Sequence, residues 1–175
     1  MGNGDGGVQT VQVSYKGGPV QVTMKALFSP FEPSSMDENV SRQTLTLRLS
    51  KEWEAKVVEV EQLLLERVAL ESRDIFGRAM TAVEVADLYK SCTRKAGQYP
   101  MNLRVKVNHT GMQSTRYWDD SGNRSGMLQT FCNRSFNVVI NIRSMWFGEN
   151  DAFGLVVDAT DIQTVASGDD MKCPF

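Results

Sequence analysis

From Met101 to Val165 apolar side chains return at every second position, broken only by short turn-forming stretches, and this period commits the second half of the chain to β-strands. Leu103, Val105 and Val107 alternate with Arg104 and Lys106. Ser114 to Trp118 follows Gly111, and residues 127–132, 135–147 and 152–165 read as further strands. Asp119 to Asn123 is a turn, and Gly148 to Asp151 joins the last two strands as a hairpin. Earlier, residues 8–15 and 19–28 alternate around Lys16-Gly17-Gly18 and predict another hairpin. Residues 29–41 hold two prolines among small polar residues and predict a loop; Gln43 to Leu49 is a third strand.

Helical spacing is confined to the middle. After Ser50, Trp53, Val57, Val60, Leu64 and Val68 recur at steps of three and four in a charged run, which predicts a helix over about 51–71 with its apolar stripe packed on the sheet. Thr81 with Glu84 forms a capping-box pattern for a second, shorter helix that ends by Gly97 and faces inward with Val85, Leu88 and Tyr89. The whole is an α+β chain, mostly β, with one long and one short helix inserted in a twisted antiparallel sheet. Residues 1–168 form one such domain, whose β-rich core spans about 99–165, and 169–175 an acidic tip.

Charge narrows the function. The 175 residues carry a net charge of −2, but the charge is unevenly placed. Residues 94–144 hold eight basic side chains (Arg94, Lys95, Arg104, Lys106, Arg116, Arg124, Arg134, Arg143) against Asp119 and Asp120; residues 145–175 hold six acidic ones against Lys172. A basic middle suits an anionic ligand, because neutralised phosphates release counterions. The lone histidine, His109, and three well-separated cysteines, Cys92, Cys132 and Cys173, argue against histidine-based catalysis, a resident metal or a cofactor. No stretch nears the roughly 20 apolar residues of a spanning helix and the start lacks a signal-peptide pattern, so an intracellular location is expected.

The basic residues stand beside rings at strand spacing: Arg116 with Tyr117 and Trp118, Arg134 with Phe136, Arg143 with Phe147. A sheet face mixing cations and flat rings holds single-stranded nucleic acid, since every base has a stackable face and every nucleotide a phosphate. The last residues, Asp169-Asp170-Met171-Lys172-Cys173-Pro174-Phe175, form an acidic lead into Pro-Phe. This tip resembles that of single-stranded DNA-binding proteins. The stretch 99–165, with Leu-Arg-Val-Lys-Val, Thr-Arg-Tyr-Trp-Asp-Asp, Val-Val-Ile-Asn-Ile-Arg-Ser-Met-Trp-Phe-Gly and Phe-Gly-Leu-Val-Val-Asp-Ala, is similar to the divergent OB-type binding proteins of phages and large DNA viruses.

The resemblance implies an OB-like barrel, no enzymatic activity, and sequence-nonspecific binding of single-stranded DNA or RNA in replication or recombination. Arg104, Lys106, Arg116, Arg124, Arg134 and Arg143 would track phosphates, and Tyr117, Trp118, Phe136 and Phe147 would stack on bases. Asp169, Asp170, Pro174 and Phe175 would dock on replication or repair proteins. Two other readings stay open. One is a structural or assembly protein whose β-rich half forms a homo-oligomer interface; the other is an enzyme using Asp119, Asp120, Asp158 and Asp161.

Overall fold

The computed structural model describes residues 8–35 and 40–166. Its spine is a 14-residue strand, Arg134–Phe147, to which the rest of the sheet is added. In chain order the strands are β1 (Gln9–Gln12), β2 (Ser14–Tyr15), β3 (Gly18–Ser29), β4 (Arg42–Arg48), β5 (Thr93–Arg94), β6 (Asn102–Asn108), β7 (Arg116–Trp118), β8 (Arg124–Ser125), β9 (Arg134–Phe147) and β10 (Phe153–Thr164). Five of them pair in a closed circuit: β9 with β3, β3 with β4, β4 with β6, β6 with β10, and β10 back to β9. All these pairings are antiparallel except that of β6 with β10. Closure lets every strand bury its apolar positions on one side: Leu45, Leu47, Val105, Val107, Phe136, Val138 and Ile162 are inside and sealed from solvent.

Helix α1 (Lys51–Leu70) starts where expected. Ser50 accepts a hydrogen bond from the Trp53 amide at 3.3 Å, which satisfies one of the open donors at the helix start. Trp53 and Val57 pack on the ring core, whereas Leu64, Leu65 and Val68 join a second cluster with Met80, Val85, Phe147 and Phe153. Val60, between the two clusters, remains half exposed. A single turn, α2 (Ser72–Phe76), leads to α3 (Ala82–Leu88). The capping box forms in both directions: the Glu84 amide donates to Thr81 Oγ1 at 3.3 Å and the Thr81 amide to Glu84 Oε2 at 2.7 Å.

Two strand expectations change. Residues 8–15 split at Val13, whose amide donates to the Arg143 carbonyl at 3.0 Å. Only β2 makes the hairpin with β3, through Lys16 and Gly17 at φ 50° and 77°, the positive values of a tight two-residue turn. β1 instead pairs with the end of β9, Gln9 opposite Phe147.

Residues 127–132 are not a strand. The Glu32 carboxylate takes up their donors, accepting from Thr130 Oγ1 (2.6 Å), the Phe131 amide (2.9 Å) and the Cys132 amide (3.0 Å), so no ladder can use those groups. Burial pushes this carboxyl up, but the hydrogen bonds from Thr130, Cys132 and Phe131 outweigh it and leave it below the ordinary 4.5. Folding therefore favours the charged form. The stability it contributes is complete above about pH 4.5 and fades as the pH falls through the lower folded value. Accordingly Glu32→Gln lowers Tm at pH 7, and its deficit relative to the parent shrinks on acidification below 4.5; a pH-independent deficit in thermal melts would contradict this.

Candidate nucleic-acid interface

The outward side of the ring is polar, and its character is set by two carboxylates on β10. Strict alternation would send Asp158 and Asp161, three residues apart, to opposite faces. A register shift between Ala159 and Asp161 turns both outward. Asp158, whose side chain is only 6% exposed, is clamped by Arg42 of β4 at 3.2 Å and Arg143 of β9 at 3.3 Å. Lys106 stands in register with Asp158 on the neighbouring strand and donates to Thr44 Oγ1 at 2.8 Å. Arg143 also reaches Gln113 Oε1 at 2.7 Å. Two arginines thus clamp one carboxylate beside a lysine on the adjacent strand, and the Arg42 and Arg143 side chains remain over a third exposed.

Asp161 organises the next stretch. Arg116 donates to its Oδ2 at 2.7 Å, the Trp118 indole to its Oδ1 at 2.9 Å, and Thr160 to Oδ2 at 3.0 Å. Burial raises this carboxyl, but the bonds from Arg116, Trp118 and Thr160 more than reverse it, so the group stays below the usual carboxylate range. The Arg124 guanidinium lies 5.4 Å from the centre of the Trp118 ring. The turn that carries Trp118 is fixed by Asp119, which accepts from the Asn123 amide at 2.7 Å. Beside the ring lies a cleft of about 300 Å³ between β3, β9 and β10, walled by Thr23, Asn137, Val139 and Gln163.

The ten expected binding residues therefore separate. Lys106, Arg116, Trp118, Arg124 and Arg143 lie along this face. Arg104 is exposed on the same side of β6 as Lys106, with its guanidinium on the Ser91 carbonyl at 3.1 Å. Arg134 is half-buried at the far end of β9, opposite Ser29 and nine residues from Arg143. Three rings are lost to stacking. Phe136 is fully buried and Tyr117 is 5% exposed, both in the ring core around Phe131. Burial pushes the Tyr117 hydroxyl up to about 12. Phe147 stacks on Phe153 at 5.8 Å and meets Phe76, in the cluster beneath the helices.

Trp146, on the other side of β9, lies over Gly154. A Cβ there would come within 2.9 Å of the indole nitrogen and 2.7 Å of the Lys90 carbonyl, so only glycine fits. The tip residues Asp169, Asp170, Pro174 and Phe175 lie outside the described residues. Arg42, Asn137 and Gln163 belong to the face although sequence reasoning passed them over. Arg42 precedes the basic middle, and amides on alternating strands carry no signal of their own.

No protein-family model matches the chain, and no curated protein matches it in sequence. Solved structures do. The single-stranded DNA-binding protein of bacteriophage Enc34, determined in complex with single-stranded DNA, superposes with a TM-score of 0.55 at 7% identity over 94% of this chain and 99% of that one. The gp2.5 single-stranded DNA-binding protein of bacteriophage T7 gives 0.54 at 9% identity over 89% and 91%. The chain has the fold of these phage proteins. With so much of each chain covered, the likeness takes in the helices as well as the OB-like ring. At such low identity the side chains have diverged, and the likeness is one of fold. Among the described residues no group of three or more His, Cys, Asp or Glu side chains could hold a metal, and no helix is long and apolar enough to cross a membrane. Asp119, Asp158 and Asp161 are all engaged, the first by its own turn and the others by arginines.

Proposed function

We propose that this protein binds single-stranded DNA without sequence specificity and without catalysing a reaction. The observation that carries this reading is the outer face itself: Arg42, Lys106, Arg143, Arg116 and Arg124 run beside a partly buried tryptophan, on a fold shared with a phage protein seen holding single-stranded DNA. In OB folds the second and third strands and their flanking loops receive oligonucleotides. Here those strands are β4 and β6, which bring Arg42 and Thr44 next to Arg104 and Lys106. The carboxylates of Asp158 and Asp161 hold the arginines in place, which lowers the entropy lost when a phosphate takes up their remaining donors. On the same reading the acidic tip, with Asp169, Asp170, Pro174 and Phe175, is a docking point for replication or recombination partners.

Fluorescence titration with an oligothymidine over a range of salt concentrations tests the proposal. Four or five phosphate contacts give a slope of log K against log salt of about −3, and Lys106→Ala reduces its magnitude by roughly 0.7. Absence of binding at low salt, or binding that ignores salt, overturns the reading. A fixed oligomer on size-exclusion chromatography, unaffected by oligonucleotide, would favour the assembly role instead.

A further inference from the structure

The cleft beside Trp118 contains an amide whose orientation can be deduced. The Ala26 amide, at a bulge of β3 where φ is 53°, can only donate, and it donates to Asn137 Oδ1 at 3.0 Å. Asn137 must therefore present its NH2 group on the other side, and it does so to Gln163 Oε1 at 3.1 Å. Reversing the Gln163 amide would set two NH2 groups against each other. The chain of bonds thus leaves Gln163 Nε2 as a donor in the cleft, with no hydrogen bond to any described residue. Of the acceptors nearby, Asp161 is engaged at Oδ2 by Arg116 and Thr160 and at Oδ1 by Trp118. The cleft thus offers one uncommitted donor, Gln163 Nε2, with Trp118 and Val139 among the residues that line it.

We infer that this cleft is a base subsite selective for the O4 carbonyl of thymine, with Gln163 Nε2 as its donor. The assignment rests on the single-stranded DNA reading and adds one hydrogen-bonded position to an otherwise nonspecific face. Trp118 stands in register between Gln163 of β10 and Arg124 of β8, so a base stacked beside it toward β10 lies on the side away from the strand that carries Arg124. Asn137 stands opposite Gln163 and Val139 opposite Asp161, so Val139 lies one diagonal step from the glutamine amide. Thymine carries its 5-methyl next to O4. Placing the methyl against Val139 therefore brings O4 toward Gln163 Nε2, whereas cytosine presents an amino donor at that position and meets a donor. Cytosine is thus disfavoured by a lost hydrogen bond and an unpaired donor, about a five-fold effect per bound base.

The test compares oligothymidine with oligodeoxycytidine, two weakly self-stacking strands, at one salt concentration on the full chain. The wild type binds oligothymidine at least five-fold more tightly. Gln163→Glu keeps the acceptor that faces Asn137 and replaces the free NH2 by an oxygen, which accepts from the cytosine amino group. The thymine preference is then lost or inverted, while thermal melting stays within a few degrees. Equal affinities of the wild type for the two strands overturn the subsite and leave single-stranded DNA binding intact; that measurement needs no variant to fold. An unchanged preference in a folded Gln163→Glu protein also overturns it. Failure to bind either strand overturns the underlying function as well.

Discussion

Replacing Trp118 by alanine lowers affinity for oligothymidine by roughly 5- to 150-fold, the 1–3 kcal/mol that one base loses with its stacking partner. The expectation follows from how the ring is held. Its indole nitrogen is fixed on Asp161 at 2.9 Å and a guanidinium lies on it at 5.4 Å, so the ring needs little further ordering when a base arrives. Because the ring is only half-buried and sits at the end of a three-residue strand, the same substitution leaves Tm nearly unchanged. Trp118→Phe should fall between the parent and Trp118→Ala, since it keeps a stacking surface and loses the bond to Asp161. Quenching of tryptophan emission by oligonucleotide reports the same event. Trp53 of α1 packs on the ring core and Trp146 over Gly154, so most of the quenching disappears with Trp118. Affinity within two-fold of the parent, with quenching retained, would remove Trp118 from the interface.

The two periodicities of the sequence carry most of the fold. Alternation around Leu45, Leu47, Val105 and Val107 marks β4 and β6, and the Ser50 and Thr81 caps mark where α1 and α3 begin, because these are local choices that the chain settles over a few residues. What alternation cannot supply is which side of a strand is inside. That depends on ring closure, and closure depends on bulges: one between Met24 and Leu27 in β3, another between Ala159 and Asp161 in β10. The second of these moves Asp161 to the same side as Asp158, so that its hold on Arg116 and Trp118 falls beside the hold of Asp158 on Arg42 and Arg143. The basic middle was legible as a count of charges. Its arrangement was not, because the carboxylates that hold it come from the acidic end of the chain. Residues 127–132 misled for a related reason: their apolar pattern is that of a strand, but their donors are claimed by Glu32, about a hundred residues earlier.

The same question of sidedness makes Phe136 the sharpest test of the fold. Its position two residues from Arg134 suits a ring facing a nucleic acid, yet it is fully buried, 5.5 Å from Phe131, which in turn meets Tyr117 at 6.1 Å. Phe136→Ala removes a large side chain from a closed ring that cannot collapse around the gap, and costs about 3–5 kcal/mol. For a protein of this size each kcal/mol moves Tm by about 2–4 °C, so a fall of roughly 6–20 °C is expected in calorimetry. Phe136→Leu, which fills more of the space, falls by less and remains folded at 20 °C. The affinity of the leucine variant for oligothymidine, measured below its melting range, matches the parent, because the ring never touches the outer face. A stacking residue would give the opposite pair of results: lost affinity with little change in Tm. That outcome would mean that β9 presents its other side to the core, and Asn137, Val139 and Arg143 would then have to leave the binding face together, since they share alternate positions on one strand.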